Sequence, residues 1–205
     1  KVVYYAPSNA QMQFGWQNIN SNKYYFDKFS GAMTTGQRNI DGSWYLFDDQ
    51  GVMQTGLQNL ASYGQNKVVY YASNGQMQYG QQVENHWRLF DKYSGAMLTG
   101  FQNLAPYGQN KVVYYDEKGR MQYGLTQVNQ KVYYLDRVSG EVRKGQQVVG
   151  NHWHLFDKNS GAMLTGFQNL APYGQNKVVY YDEKGRMQYG LTQVNQKMYY
   201  LDRVS

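Results

Sequence analysis

Apolar and polar positions along the chain alternate in short bursts. Four-residue runs of β-branched and aromatic residues recur, as in Lys23-Tyr24-Tyr25-Phe26, Trp44-Tyr45-Leu46-Phe47, Val68-Val69-Tyr70-Tyr71 and Trp87-Arg88-Leu89-Phe90. Each run leads into a polar turn such as Asp48-Asp49-Gln50-Gly51 or Asp116-Glu117-Lys118-Gly119, followed by a short segment carrying Met. Residues of the first kind suit the pleated, half-buried surface of a strand, and Gly at the end of a turn takes positive φ without steric cost. Strand, turn and Met-bearing return strand therefore predict a β-hairpin in every unit. No stretch sustains a 3.6-residue apolar period, so no helix is expected.

Alternation also predicts which face is core. Counting back from the turn, the fourth and second positions (Trp44 and Leu46, Val68 and Tyr70, Trp87 and Leu89, Val132 and Tyr134) are apolar or aromatic, with Lys23 the one break. The position adjoining the turn is always large, whereas the third varies among Tyr24, Tyr45, Val69, Arg88 and His154. One face is expected to be reliably buried and the other partly so. A lone hairpin of this size is unstable, and stacking gives each one a partner for its apolar face. The expected fold is all-β, a β-solenoid of about nine stacked short hairpins.

Self-similarity organises the whole chain. Residues Phe101 to Ser139 recur at Phe167 to Ser205 with Val132 replaced by Met198, and the match extends back to His86 and His152 with two further changes, Arg88/His154 and Tyr93/Asn159. Within this 66-residue period lies a unit of 20–24 residues ending in Gly-x-Met-x-x-Gly, as in Gly31 to Gly36, Gly51 to Gly56 and Gly185 to Gly190. The longer units add the lead-in Tyr-Gly-Gln-Asn-Lys, beginning at Tyr63, Tyr107 and Tyr173.

These repeats, with Trp44 to Gly56 as the clearest copy, resemble the cell-wall-binding repeat of Gram-positive surface proteins. That superfamily includes choline-binding modules and the glucan-binding repeats of glucansucrases. The resemblance implies stacked hairpins that hold ligands between neighbours by aromatic rings. In the choline-binding branch a Trp usually follows the terminal Gly. Here only Gly15-Trp16 keeps it, and Gln37, Leu57, Gln81, Phe101, Leu125, Gln146, Phe167 and Leu191 take the other places. A quaternary ammonium is held by ring faces, so the departure favours the glucan or cell-wall polymer branch. Choline on teichoic acid is the alternative, and a structural spacer a further one.

Composition narrows the chemistry. The chain holds 22 Tyr, 24 Gln and 17 Asn against 14 carboxylates, and no Cys, which excludes disulfides and thiolate metal sites. Carboxylates sit at turns, where turn chemistry explains them, and His86, His152 and His154 lack converging partners. No cofactor and no catalytic activity are expected. The net charge of +6 suits an anionic polymer such as teichoic acid, but the cations are spread among turns and do not suggest nucleic acid. No 18-residue apolar run exists for membrane insertion.

The candidate ligand-binding residues are Tyr71, Tyr115 and Tyr181, expected to line sites between hairpins; Tyr63, Tyr107 and Tyr173 in the lead-in loops; and Trp16, Trp44, Trp87 and Trp153 as sugar platforms. Gln78, Gln122 and Gln188 would supply hydrogen bonds. Trp44, Trp87 and Trp153 have a second reading as core, and the Met column is expected to fill gaps in it. The expected whole is one repeat domain over 1–205, a fragment of a longer secreted, cell-wall-associated protein. It would be monomeric and bind a polysaccharide, an α-glucan or another cell-wall polymer.

Overall fold

The computed structural model describes residues 1–83 and 85–203; Ser205, the end of the second repeat copy, lies outside them. The chain forms two compact units, Lys1–Thr99 and a second beginning at Gly100. Each is a run of antiparallel hairpins stacked as a β-solenoid. In the first unit they are Gly15–Ile19 with Asn22–Phe26, Gly36–Ile40 with Ser43–Phe47, Gly56–Asn59 with Val68–Tyr71, and Gly80–Val83 with Trp87–Phe90. In the second they are Gly100–Asn103 with Val112–Tyr115, Gly124–Val128 with Lys131–Leu135, Gly145–Val149 with His152–Phe156, Gly166–Asn169 with Val178–Tyr181, and Gly190–Val194 with Lys197–Leu201.

The hairpin is closed by a turn other than the one expected. The strand after the terminal Gly pairs with the apolar run that follows it, Gly36 opposite Phe47 and Ile40 opposite Ser43. Two-residue turns with positive φ join them, Asp41 (49°) with Gly42 (86°) and Asn129 (47°) with Gln130 (65°), the geometry that matches strand twist. The Met segment is shorter than the return strand envisaged. It makes isolated bridges such as Phe47 to Met53, or two-residue strands such as Met97–Leu98. The 24-residue units also hold one turn of 3-10 helix each, Ala61–Tyr63, Ala105–Tyr107 and Ala171–Tyr173, where no helix was expected.

The Met segment instead forms the seam between hairpins. Its amide reaches the preceding hairpin: Met53 N donates to the Lys23 carbonyl (2.8 Å), Met77 N to Trp44 (2.9 Å) and Met187 N to Trp153 (2.8 Å). The side chain meanwhile lies on the glycine that opens the next Met segment. A Cβ at Gly75 would sit 2.2 Å from Met53 Sδ, and one at Gly185 2.3 Å from Met163 Sδ. Met thus fills a gap that its neighbour's missing side chain creates.

The core is not confined to the face expected: of the two positions expected inside, the second is buried at Tyr25, Leu46, Leu89 and Leu155, while the fourth is not. Val69 and Tyr71, Val113 and Tyr115, and Tyr133 and Leu135 are buried, so the third position joins the one next to the turn inside. These two are separated by the strand period of two and share a face. The fourth position lies near the turn that closes the hairpin, and Trp44, Trp87 and Trp153 stand 39%, 42% and 44% exposed there. Their reading as core is corrected accordingly.

Turn carboxylates are used locally. Asp27 Oδ1 accepts from the Ser30 amide and hydroxyl, each at 2.8 Å. Asp136 accepts from the Ser139 amide and from Arg143, which together hold its carboxyl well below the usual carboxylate range.

Candidate functional site

The residue after each terminal Gly stands opposite the second position of the partner strand, and this cross-strand pair differs between hairpins. Gln37 faces Leu46, Gln81 Leu89, and Gln146 Leu155. Trp16 faces Tyr25, Phe101 Tyr114, and Phe167 Tyr180. In a third kind Leu57 faces Tyr70, Leu125 Tyr134, and Leu191 Tyr200, and the first two kinds build different surroundings.

Where a ring follows Gly, a Tyr from the next hairpin completes a three-ring cluster. In the first unit Trp16 lies 5.1 Å from Tyr25 and 4.8 Å from Tyr45, centroid to centroid, both edge to face. In the second unit Phe101 lies 4.9 Å from Tyr114 and 4.8 Å from Tyr133. Its repeat copy Phe167 lies 4.9 Å from Tyr180 and 5.0 Å from Tyr199. Phe101 and Phe167 keep 40% and 44% of their surface open. The Lys23 ammonium rests 4.6 Å from the Trp16 ring centroid, so this face already attracts a cation. Tyr114 and Tyr180 also border clefts of about 370 and 310 Å³ that include the carboxylates of Glu117 and Glu183.

Where Gln follows Gly, the corresponding space holds an amide network. Gln37 Nε2 donates to the Tyr71 hydroxyl (2.9 Å) and its Oε1 accepts from Gln65 (2.7 Å). In the second unit Gln146 repeats both contacts with Tyr181 and Gln175. Burial pushes the Tyr71 phenol up to about 12 and the Tyr181 phenol in the same direction.

The expected site residues fall into four groups. Tyr71, Tyr115 and Tyr181 are 0% exposed and belong to the core. A ring enclosed on both faces offers a polymer nothing to stack on, so their assignment as ligand platforms is corrected. Tyr63, Tyr107 and Tyr173 are half-buried ends of the 3-10 turns, and Tyr63 and Tyr173 pack against the clusters around Tyr71 and Tyr181. Trp16 sits within a three-ring cluster, apart from the exposed Trp44, Trp87 and Trp153. The Gln122 amide nitrogen bonds Asp116 and the Arg120 carbonyl, Gln188 bonds Asp182 and the Arg186 carbonyl, and Gln78 bonds the Gln76 carbonyl, so each is fixed by its own turn.

Sequence reasoning missed Phe101 and Phe167 as the equivalents of Trp16, and the six tyrosines around the three rings. The signal lay in the pairing: a ring after Gly always faces Tyr, and Gln after Gly always faces Leu. Among the described residues no group of His, Asp or Glu is arranged to hold a metal ion.

A solenoid of stacked hairpins with recurrent aromatic clusters in its grooves defines a repeat-built ligand-binding array. The choline-binding repeat profile matches residues 64–101, and the cell wall binding repeat profile matches 15–33 and 38–53. These segments of the chain are thus similar to choline-binding and cell wall binding repeats. Among solved structures the chain resembles choline binding protein F from Streptococcus pneumoniae, crystallised in the presence of a peptidoglycan analogue. That match has a TM-score of 0.71 at 26% identity over 88% of this chain, which spans 59% of that protein's chain. CbpJ from Streptococcus pneumoniae TIGR4 matches with a TM-score of 0.60 at 26% identity, over 97% of this chain and 81% of that one. The choline-binding domain of CbpL from Streptococcus pneumoniae shares the fold, with a TM-score of 0.61 at 20% identity over 93% and 94% of the two chains. No curated protein sequence matches the chain.

Proposed function

We propose that the chain is a non-catalytic module that holds its parent protein on the cell wall by binding quaternary ammonium groups of a wall polymer. The observation that carries this reading is the three-ring cluster. It is built once around Trp16 and twice more around Phe101 and Phe167, with the Lys23 ammonium already over the Trp16 face. Ring faces attract a cation that has no N–H to satisfy, and each such contact contributes about 0.5–2 kcal/mol. The repeat matches support the same reading, since the related proteins carry choline binding in their names. Phe in place of Trp at two of the three positions keeps the ring, which removes the reason for setting choline aside. Attachment to a wall polysaccharide places the module at the surface of a secreted protein.

The test is thermal unfolding with increasing choline, together with elution from purified cell walls. A ligand that binds only the folded state raises its melting temperature by mass action. Choline should raise Tm and elute the protein, and Phe101→Ala with Phe167→Ala should reduce both effects. An unchanged Tm at 100-fold excess over about 1 mM, with dextran still retained by the protein, would transfer the function to the α-glucan reading.

A further inference from the structure

One ring cluster differs from the other two in what lies on its ring face. Lys23 stands at the fourth position of its strand, where every other hairpin carries Trp, Val or Met. Its cross-strand partner is Asn18, so Trp16, paired with Tyr25, is its diagonal neighbour. Diagonal neighbours lie within reach of long side chains, and the Lys23 ammonium rests 4.6 Å from the Trp16 ring centroid. The Lys23 carbonyl accepts from Met53 N at 2.8 Å, which fixes the backbone from which the side chain starts. Val112 and Val178 hold the corresponding places, diagonal to Phe101 and Phe167, and bring no charge. The clusters differ in access as well. Tyr25 and Tyr45 are buried around a half-buried Trp16, whereas Tyr114 and Tyr180 are half-buried beside the exposed Phe101 and Phe167.

We infer that Lys23 is a tethered competitor at the Trp16 cluster, its ammonium holding the place that a ligand's quaternary ammonium takes at the Phe101 and Phe167 clusters. Both groups are monocations drawn to the same ring face, and two like charges do not share it. A group on the same strand pair acts at an effective concentration in the millimolar range or above, so a free ligand meets this competitor at every encounter. Among the described residues no carboxylate forms an ion pair with Lys23 that would draw it away. Its hold is still reversible. A primary ammonium carries three N–H donors that the ring leaves unsatisfied, whereas a quaternary group carries none. The three clusters are therefore graded: Phe101 and Phe167 fill first, and Trp16 fills only when ligand is abundant enough to displace Lys23. The inference rests on the reading of the ring clusters as ammonium sites and adds a control on one of them.

The experiment uses the full chain with fluorotryptophan incorporated and choline as the probe. The Trp16 fluorine signal is assigned by Trp16→Phe, and the other two clusters are followed by calorimetry. In the parent, the Trp16 signal should reach half-saturation at a choline concentration at least about threefold above that of the calorimetric sites. Lys23→Met, which keeps the chain but removes the charge, should lower the Trp16 half-saturation at least about threefold and leave the other sites unchanged. Lys23→Gln is a second uncharged variant with the same expectation. Lys23→Arg retains a cation and should titrate like the parent. Melting temperatures without choline show that each variant is folded. A Trp16 titration identical in the parent and both uncharged variants would overturn the inference and leave the ammonium reading standing, as would a Trp16 signal that stays silent in those variants while the other sites fill. Absence of any choline response in parent and variants would bring down both readings together, so the two failures are distinguishable.

Discussion

Gln146 Nε2 donates to the buried hydroxyl of Tyr181 across 3.0 Å, and Gln37 makes the same bond to Tyr71. A residue that in other hairpins is an aromatic ring here satisfies a phenol sealed inside the solenoid. The raised phenol pKa values keep both tyrosines neutral throughout the physiological range.

Gln146→Leu should therefore destabilise the protein by about 1–3 kcal/mol, the cost of a buried hydroxyl left without a partner. Adding Tyr181→Phe removes the orphaned group and should recover much of the loss. Urea denaturation of the two single variants and the double variant checks the coupling, and additive effects would show that the bond contributes little.

Tyr181 and Trp153 should respond very differently to truncation. Tyr181→Ala removes a fully buried ring and is expected to cost about 3–5 kcal/mol, as for other buried aromatics. Trp153→Ala, at an open position, should cost less than about 1.5 kcal/mol. Equal losses in melting temperature would mean that the exposed indole is structural after all.

The Met seam predicts a pair of glycine variants. Gly185 has φ of 72° and Gly190 φ of 73°, so Ala at either position strains the backbone equally. Only at Gly185 would the new Cβ meet Met163 Sδ, at 2.3 Å, while at Gly190 it meets nothing within 4 Å. Gly185→Ala should lose about 1–3 kcal/mol more than Gly190→Ala, the usual cost of overpacking. Met163→Ala in the Gly185→Ala background should return part of it, as read from thermal midpoints.

His154 gives the second unit a pH dependence. It is buried where its repeat copy in the first unit has Arg88 and the Ser43–Phe47 strand has Tyr45, and its Nδ1 is enclosed without a hydrogen-bond partner. Burial lowers its pKa from 6.5; His152 and Arg186 push the same way, and Asp182 opposes them. The unfolded chain then binds a proton that the folded chain resists, so the contribution to stability is complete above the unfolded value and is lost as pH falls from about 6.5 through the folded pKa. His154→Tyr should flatten stability between pH 7 and pH 5. A slope unchanged by the substitution would assign the dependence to other groups.

Much of the fold is legible in the sequence because glycine and methionine are copied with every unit. Their spacing gives the number of hairpins, and the run of apolar residues gives the second strand of each. The partner of that strand is harder to find. Asp48-Asp49-Gln50-Gly51 carries a stronger turn signature than Asn129-Gln130, yet the weaker signature closes the long hairpin because five residues pair across it. With the register displaced in this way the inward positions are misjudged, and Tyr115 reads as a binding ring when it is core. The ring clusters stayed hidden for the same reason: Phe101 meets Tyr114 only in the true register, and Tyr133 only after stacking.

The joint between hairpins, methionine on glycine, is the same chemistry at Met53 and at Met163. A joint that does not depend on which hairpin lies on either side makes the 66-residue block interchangeable. One crossover between two copies would insert or delete three hairpins without creating a new interface. Such an event would add or remove one ring cluster, one amide network and one exposed indole together. The number of grips on the wall becomes a quantity that recombination can adjust in whole steps, with no need to evolve a new binding surface.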